Sequence, residues 1–428
     1  MLKSNVKKHL IITNTFGPKK GGIEHYLGRL CQAWAHMTGQ GKLNLLTDKK
    51  NVLLCERKRT VDNFKKSIGG EEDLELSLPM VLTNHQANSN DFDQGQVYQI
   101  FRRQIDYGGK LIKPRWIVSP ISSLALISKL KPDLIHAASG LSSYLAAFSA
   151  KQMFGLPYIL YIYGLEILSI QKHRLYKSIL KAIINQSSGL VGSSRFSVDI
   201  LQGLASKTKP DFVLYPGVET DKFKPNLDVS LTRTKYKLGS DKQIILSVGR
   251  LVARKGFDLT IKALPIVLKK FPNALYVLCG QGLYRAKLAK LVHKLNLDQN
   301  VKFLGEAPDE DLPYLYNLAT LFVMPSKLIE ETGDVEGFGL VFLEAASCGL
   351  AVIGGNSGGV PEALVDGQTG FLIDPEDEKD LAKKIILLLD NSELRNKLAR
   401  HGRERCLAEF QWSKVIGKFL KWLGSEKF

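Results

Sequence analysis

Short apolar runs alternate with longer amphipathic ones through both halves of the chain, and this constrains the fold more than any other feature. In the first half, His9–Thr13 leads into Gly17-Pro18-Lys19-Lys20-Gly21-Gly22 and then into Ile23–Trp34, which reads as a helix. Leu134–His136, Tyr158–Tyr163, Gly189–Gly192 and Asp211–Tyr215 read as further strands, with a helix over Leu145–Phe154. The pattern restarts at Gln243–Val248, Ala274–Cys279, Val301–Leu304, Leu321–Met324 and Ala351–Ile353, with helical spacing between them. Such alternation builds parallel sheets from βαβ units. The expected fold class is therefore α/β: two Rossmann-like, doubly wound parallel-sheet domains facing a cleft. Residues 1–216 form the N-terminal domain in this reading and 217–405 the C-terminal one. Residues 406–428 form a C-terminal helix expected to pack back toward the first domain. The polar stretch Asp48–Gln96 reads as an insertion, and Pro216–Asp241 as the connector.

Composition removes several alternatives. With 44% hydrophobic and 24% charged residues in 428, the chain is neither disordered nor fibrous. No apolar run approaches the roughly 18–20 residues of a membrane-spanning helix. The opening nine residues lead into too short an apolar run for a secretory leader, so a cytoplasmic location, possible also as a peripheral one on the inner membrane face, is expected. Five scattered cysteines with no CxxC pair argue against a disulfide scaffold or a zinc site. The net charge of +17 is uneven: residues 1–216 hold 29 Lys and Arg against 15 Asp and Glu, and residues 217–428 hold 30 against 27. Excess charge of that kind points to an anionic partner for the first half.

In open α/β sheets, ligands bind at the carboxyl ends of strands, where loops enter helix N-termini. Four loops occupy such places. In Gly17–Gly22 the glycines allow backbone amides to approach a phosphate, although the order of a P-loop is missing. In Val248–Gly256, Arg250 offers a planar fork and Lys255 a point charge at the next helix start. A cation there opposes the helix dipole, so its presence points to an anionic ligand. In Glu336–Glu344, two carboxylates eight positions apart flank glycines that expose amides. Helical rise would separate them by about 12 Å, which suits two contacts on one long ligand better than a catalytic pair. The fourth loop is Ser357-Gly358-Gly359-Val360-Pro361-Glu362. Asp91-Phe92-Asp93 lies in the irregular region and reads poorly as a metal site. Asp309-Glu310-Asp311 reads as compensation of a helix dipole, and His136 as a structural histidine.

At these residues the sequence resembles the retaining family 4 glycosyltransferases of GT-B architecture, over nearly the whole chain and most strongly from Val213 to about Leu372. Tyr215–Phe223 resembles the interdomain segment, Gly249-Arg250 with Lys255-Gly256 the diphosphate-binding Arg and Lys, and Glu336 with Glu344 the E-x7-E element. Asp334-Val335-Glu336-Gly337-Phe338-Gly339 is similar to the version in mannosyltransferases acting on phosphatidylinositol-type lipids. The resemblance implies that Gly21, Gly22 and Gly249 border the donor and that Arg250 and Lys255 neutralise its diphosphate. It further implies that Glu336 holds the donor sugar, that Phe338, Gly339 and Leu340 supply backbone contacts, and that Glu344 holds the ribose. Tyr163-Gly164-Leu165-Glu166 departs from the family's His-Gly-x-Asp/Glu, leaving Tyr163, Gly164 and Glu166 as acceptor or sugar contacts.

The expected activity is retaining transfer of a sugar to a hydroxyl of a glycan or lipid-linked acceptor, with mannose from GDP-mannose as the leading donor. UDP-glucose or UDP-N-acetylglucosamine is the alternative donor, and a sugar-nucleotide sensor without turnover a more distant reading. No metal and no cofactor is expected, because Arg250 and Lys255 supply the positive charge. No nucleic-acid reading motif is present, so nucleic acid is not an expected partner. Arg57-Lys58-Arg59, Lys65-Lys66, Arg102-Arg103, Lys110, Lys113, Arg115 and Trp116 point instead to an anionic membrane surface or a phosphate-bearing lipid acceptor.

Overall fold

A computed structural model of the chain describes residues 9–13, 29–30, 43–47, 98–102, 123–124, 127–128, 130–138, 140–163 and 174–426. The N-terminal sheet contains β1 (His9–Thr13), β2 (Leu43–Thr47), β3 (Tyr98–Arg102), β4 (Leu134–Ala138), β5 (Tyr158–Ile162), β6 (Gly189–Gly192) and β7 (Asp211–Val213). Its order is β3-β2-β1-β4-β5-β6-β7, and every pairing is parallel. The C-terminal sheet contains β8 (Gln243–Val248), β9 (Ala274–Cys279), β10 (Val301–Gly305), β11 (Leu321–Met324), β12 (Val352–Gly355) and β13 (Gly370–Ile373). Its order, β10-β9-β8-β11-β12-β13, repeats the same logic with parallel pairings throughout. In each sheet the strand order reverses once, between β1 and β4 and between β8 and β11. Those reversals open the crevices in which α/β proteins bind ligands. Both parallel sheets are as expected, whereas β2, β3 and β13 were not anticipated from the sequence.

Both faces of each sheet are covered, as parallel sheets require. Along β8, Ile244, Leu246 and Val248 enter one core with Phe342 and Leu343 of the helix Leu340–Ser347. Ile245 points the other way, into a core with Ile261 and Leu264 of the helix Phe257–Lys270. Each such fully buried side chain contributes about 1.5–3 kcal/mol of transfer free energy. The last helix, Trp412–Ser425, presents Val415, Ile416, Phe419 and Leu423 to Ile11, Ala138, Ile159 and Tyr161 of the N-terminal sheet. Their spacing is that of one helical face. No described helix is long and apolar enough to cross a membrane.

A polar chain lies beneath that helix. His9 Nδ1 stands 3.0 Å from His136 Nε2, and His136 Nδ1 stands 2.7 Å from the Tyr161 hydroxyl. The Tyr144 hydroxyl donates to the Tyr161 carbonyl at 2.7 Å, and the Phe419 ring meets His136 edge-on. His136 is therefore structural. Burial, with a smaller contribution from His9, holds its pKa well below the usual histidine value. Below about pH 6.5 the unfolded chain takes up a proton that folded His136 refuses, so this residue costs stability as pH falls. Urea unfolding between pH 7.5 and 5.5 checks this: His136→Gln should flatten the acid limb by up to about 1.4 kcal/mol per pH unit. Identical slopes in both proteins would refute it.

Candidate active site

The β8–β11 crevice collects the charged side chains. Beyond Val248 the chain passes Gly249 and the exposed Arg250, then makes a tight turn over Ala253–Lys255 before the helix Phe257–Lys270. That turn sends Arg254 and Lys255 inward together, each only 7% exposed. Across the crevice, the loop after β11 presents Glu336, which is 9% exposed. Lys255 Nζ lies 2.6 Å from Glu336 Oε2, and Arg254 Nη1 donates to the same oxygen at 2.5 Å. Arg254 Nε also stands 3.0 Å from Asp334 Oδ1.

These groups set one another's charge. Burial alone would raise the Glu336 carboxyl, but Lys255 and then Arg254 outweigh it and hold the pKa below the ordinary glutamate value. Burial pulls the Lys255 ammonium down, Glu336 opposes that, and Arg254 adds to the fall. For Asp334 burial prevails and the carboxyl rises despite Arg254. A buried ammonium facing a solvent-reachable guanidinium from one loop is suited to binding a polyanion.

The glycine turn after β12 shapes the acidic loop. The Gly359 N–H donates to the Glu336 carbonyl at 2.9 Å. Gly358 sits at φ +58, and a Cβ there would come within 2.3 Å of the same carbonyl oxygen. Gly339 is left-handed too, at φ +92, and the helix proper begins only at Leu340. Glu336 therefore lies in an irregular loop, and the helical-rise separation expected between it and Glu344 does not apply. Glu344 is inside the helix Leu340–Ser347 and 9% exposed, and it accepts the Tyr316 hydroxyl at 2.9 Å. Burial pushes its carboxyl up to about 7, the Tyr316 bond offsetting part of the rise.

The matching families cover most of the chain. Residues 228–405 match the model described as "Glycosyl transferases group 1", and residues 76–222 match "Glycosyltransferase Family 4". The chain belongs to the family 4 type of glycosyltransferase. The chain is 36% identical over 200 residues to the GDP-mannose-dependent alpha-(1-6)-phosphatidylinositol monomannoside mannosyltransferase of Mycolicibacterium smegmatis. That match takes in 46% of this chain and 52% of the relative, so it spans about half the relative's length. Over 97% of both chains it is 28% identical to the GDP-mannose-dependent monoacylated alpha-(1-6)-phosphatidylinositol monomannoside mannosyltransferase of Corynebacterium glutamicum. Among solved structures, sucrose-phosphate synthase from Thermosynechococcus elongatus superposes with a TM-score of 0.73 at 22% identity, covering 98% of this chain and 99% of that one. The likeness carries the two-domain fold.

Of the residues singled out in the sequence, the structure brings Gly249, Arg250, Lys255 and Glu336 to the carboxyl ends of β8 and β11. The Phe338 ring is turned into the core, 5.3 Å from the Tyr215 ring and 5.8 Å from that of Phe410, so only its backbone is available to a ligand. Gly339 and Leu340 open the helix that carries Glu344, and the first amides of a helix lack intrahelical partners. Tyr163 follows β5 at its carboxyl end, half-buried, its ring 6.4 Å from that of Tyr161. Gly21, Gly22, Gly164, Glu166, the Asp91–Asp93 pair and most of the basic clusters lie outside the described residues.

Three partners went unrecognised in the sequence. Arg254 was one of three cations in a single loop, and only the turn geometry distinguishes it. Tyr316 is 28 positions from the carboxylate it bonds. Glu362, in the fourth glycine loop, accepts the backbone N–H groups of Arg195 (2.6 Å) and Phe196 (2.9 Å) and the Tyr215 hydroxyl (3.0 Å). It thereby joins the C-terminal sheet's loops to a helix of the N-terminal half, and its charge helps to raise the Tyr215 phenol to about 12, burial being the larger cause.

Proposed function

We propose that the protein transfers a sugar, with retention, from a nucleoside-diphosphate donor to a hydroxyl of a glycan or lipid-linked acceptor, GDP-mannose being the leading donor. The observation carrying this reading is the buried Lys255–Glu336 contact at the strand reversal of the C-terminal sheet. GDP-mannose is supported by the names of the relatives reported above. In this reading Lys255 and Arg250 meet the diphosphate, Glu336 takes hydroxyls of the donor sugar, and the amides of Phe338, Gly339 and Leu340 line its path. As the glycosidic bond lengthens, charge grows on the departing phosphate, where two fixed cations stabilise it most. Attack on the face the phosphate leaves retains configuration without a covalent enzyme intermediate. Glu344, in the adjoining helix, accepts the ribose hydroxyls. The surplus positive charge of residues 1–216 supports an anionic or membrane-borne acceptor.

Thermal unfolding against GDP-mannose, UDP-glucose and UDP-N-acetylglucosamine tests the donor, since a ligand bound only by the folded state raises the midpoint. GDP-mannose should give the largest shift. A shift with UDP-glucose alone would move the donor to the alternative, and none with any sugar nucleotide would overturn the reading. Vesicle flotation tests the acceptor side: recovery should be greater with anionic than with neutral lipid.

Glu344 predicts a pH dependence. With its carboxyl near pH 7, the charged form that accepts ribose hydroxyls is lost as pH falls through that value. Donor KM should therefore climb below pH 7, approaching tenfold per unit. Tyr316→Phe should move this limb to higher pH, because the lost hydroxyl had favoured the carboxylate. A donor KM flat from pH 6 to 8 would refute the assignment.

A further inference from the structure

Arg254, Lys255, Asp334 and Glu336 form a buried set of two positive and two negative groups, with both cations on one oxygen of Glu336. In this arrangement the charge of Lys255 is already engaged. A diphosphate arriving beside Lys255 must draw the ammonium toward itself, and a buried carboxylate losing its sole cation would resist that exchange strongly. Glu336 has a second cation. The guanidinium of Arg254 spans two carboxylates, with Nη1 on Glu336 and Nε on Asp334, and its backbone carbonyl accepts the Lys327 N–H at 2.8 Å. The guanidinium is hydrogen-bonded to Glu336 and ion-paired with Asp334, and its backbone is tied to Lys327, whereas Lys255 has a flexible stem and one ion-pair partner in the set.

We infer that Arg254, anchored by Asp334, is the standing counter-ion of Glu336, and that it releases Lys255 to bind the donor diphosphate while keeping Glu336 charged and in place. Arg254 touches Glu336 and Asp334, so it is a positioning residue. The inference rests on the reading that Lys255 meets a diphosphate.

The experiment measures affinities for GDP against GMP, and UDP against UMP, by calorimetry on the full chain. The wild type should prefer the diphosphate. Arg254→Gln leaves Lys255 as the one cation on Glu336 among the described residues, so the diphosphate preference should fall by about 10- to 100-fold with monophosphate affinity unchanged. Glu336→Gln in the Arg254→Gln background should restore the preference, because Lys255 then has no carboxylate to neutralise. A merely structural role would weaken both nucleotides alike and would not be repaired by a second substitution. Should Arg254→Gln fail to fold, Arg254→Lys serves: lysine cannot bridge Asp334 and Glu336, so the preference should drop by about three- to tenfold. An unchanged preference in the folded Arg254 variant, or no recovery in the double variant, overturns the inference. A wild type with no diphosphate preference removes the underlying reading, and this inference with it.

Discussion

Lys255→Met should leave a folded protein whose kcat/KM for sugar transfer is lower by about 10²–10³-fold. The expectation follows from what remains after the change. Methionine fills most of the volume of the lysine stem in a site that is only 7% exposed. Glu336 keeps Arg254 at 2.5 Å, so no carboxylate is stranded. The stability cost should therefore stay below the about 3–5 kcal/mol of breaking an unshared buried ion pair. The departing phosphate, in contrast, loses the buried ammonium assigned to it. Arg250 cannot substitute, because it is exposed and its charge is weakened by solvent. Steady-state kinetics alongside urea unfolding check both halves. A variant that keeps more than a tenth of wild-type kcat/KM would show that Lys255 does not serve the leaving group.

The repeated strand–helix alternation made the two parallel sheets legible, because fully buried strands such as Gln243–Val248 and Ala274–Cys279 are continuous apolar runs. β13, Gly370–Ile373, escaped although β6 and β11 are equally short and were legible, so its length is not what hid it. β2 and β3 frame a long polar stretch, and nothing local marks them as neighbours in the sheet. The site was legible where chemistry and spacing coincide: Lys255 before a helix and Glu336 before glycines. Its electrostatics were not. Arg250, Arg254 and Lys255 look equivalent in a list of basic residues, and a three-residue turn makes one exposed and two buried. The helical spacing assumed from Glu336 to Glu344 fails for a similar reason. The left-handed Gly339 delays the helix to Leu340, so the intervening chain does not rise at the helical rate.

Gly256→Ala should be the most damaging single-atom-group addition in the C-terminal domain, lowering stability by about 3–4 kcal/mol. Gly256 sits at φ +70, where an alanine pays a backbone penalty before meeting any neighbour. Its Cβ would also fall 1.9 Å from the Pro325 carbonyl oxygen and 2.7 Å from the carbonyl carbon. Pro325 immediately follows β11, and Gly256 immediately follows Lys255. The overlap is between two backbones, so no side-chain rotation relieves it, and the β8 and β11 loops must part. That separation draws Lys255 away from Glu336, and misplacement by about 1 Å is enough to cost roughly 10²-fold in rate. Stability and activity should therefore fall together, with the unfolding midpoint lower by about 10 °C. Gly424→Ala is the control, since that glycine lies in the helix Trp412–Ser425 with no atom within 4 Å of an added Cβ. It should be neutral or gain about 0.5–1 kcal/mol from reduced backbone entropy in the unfolded chain. If Gly256→Ala kept wild-type kinetics while losing stability, the close contact of the two loops would not be what positions the Lys255–Glu336 pair.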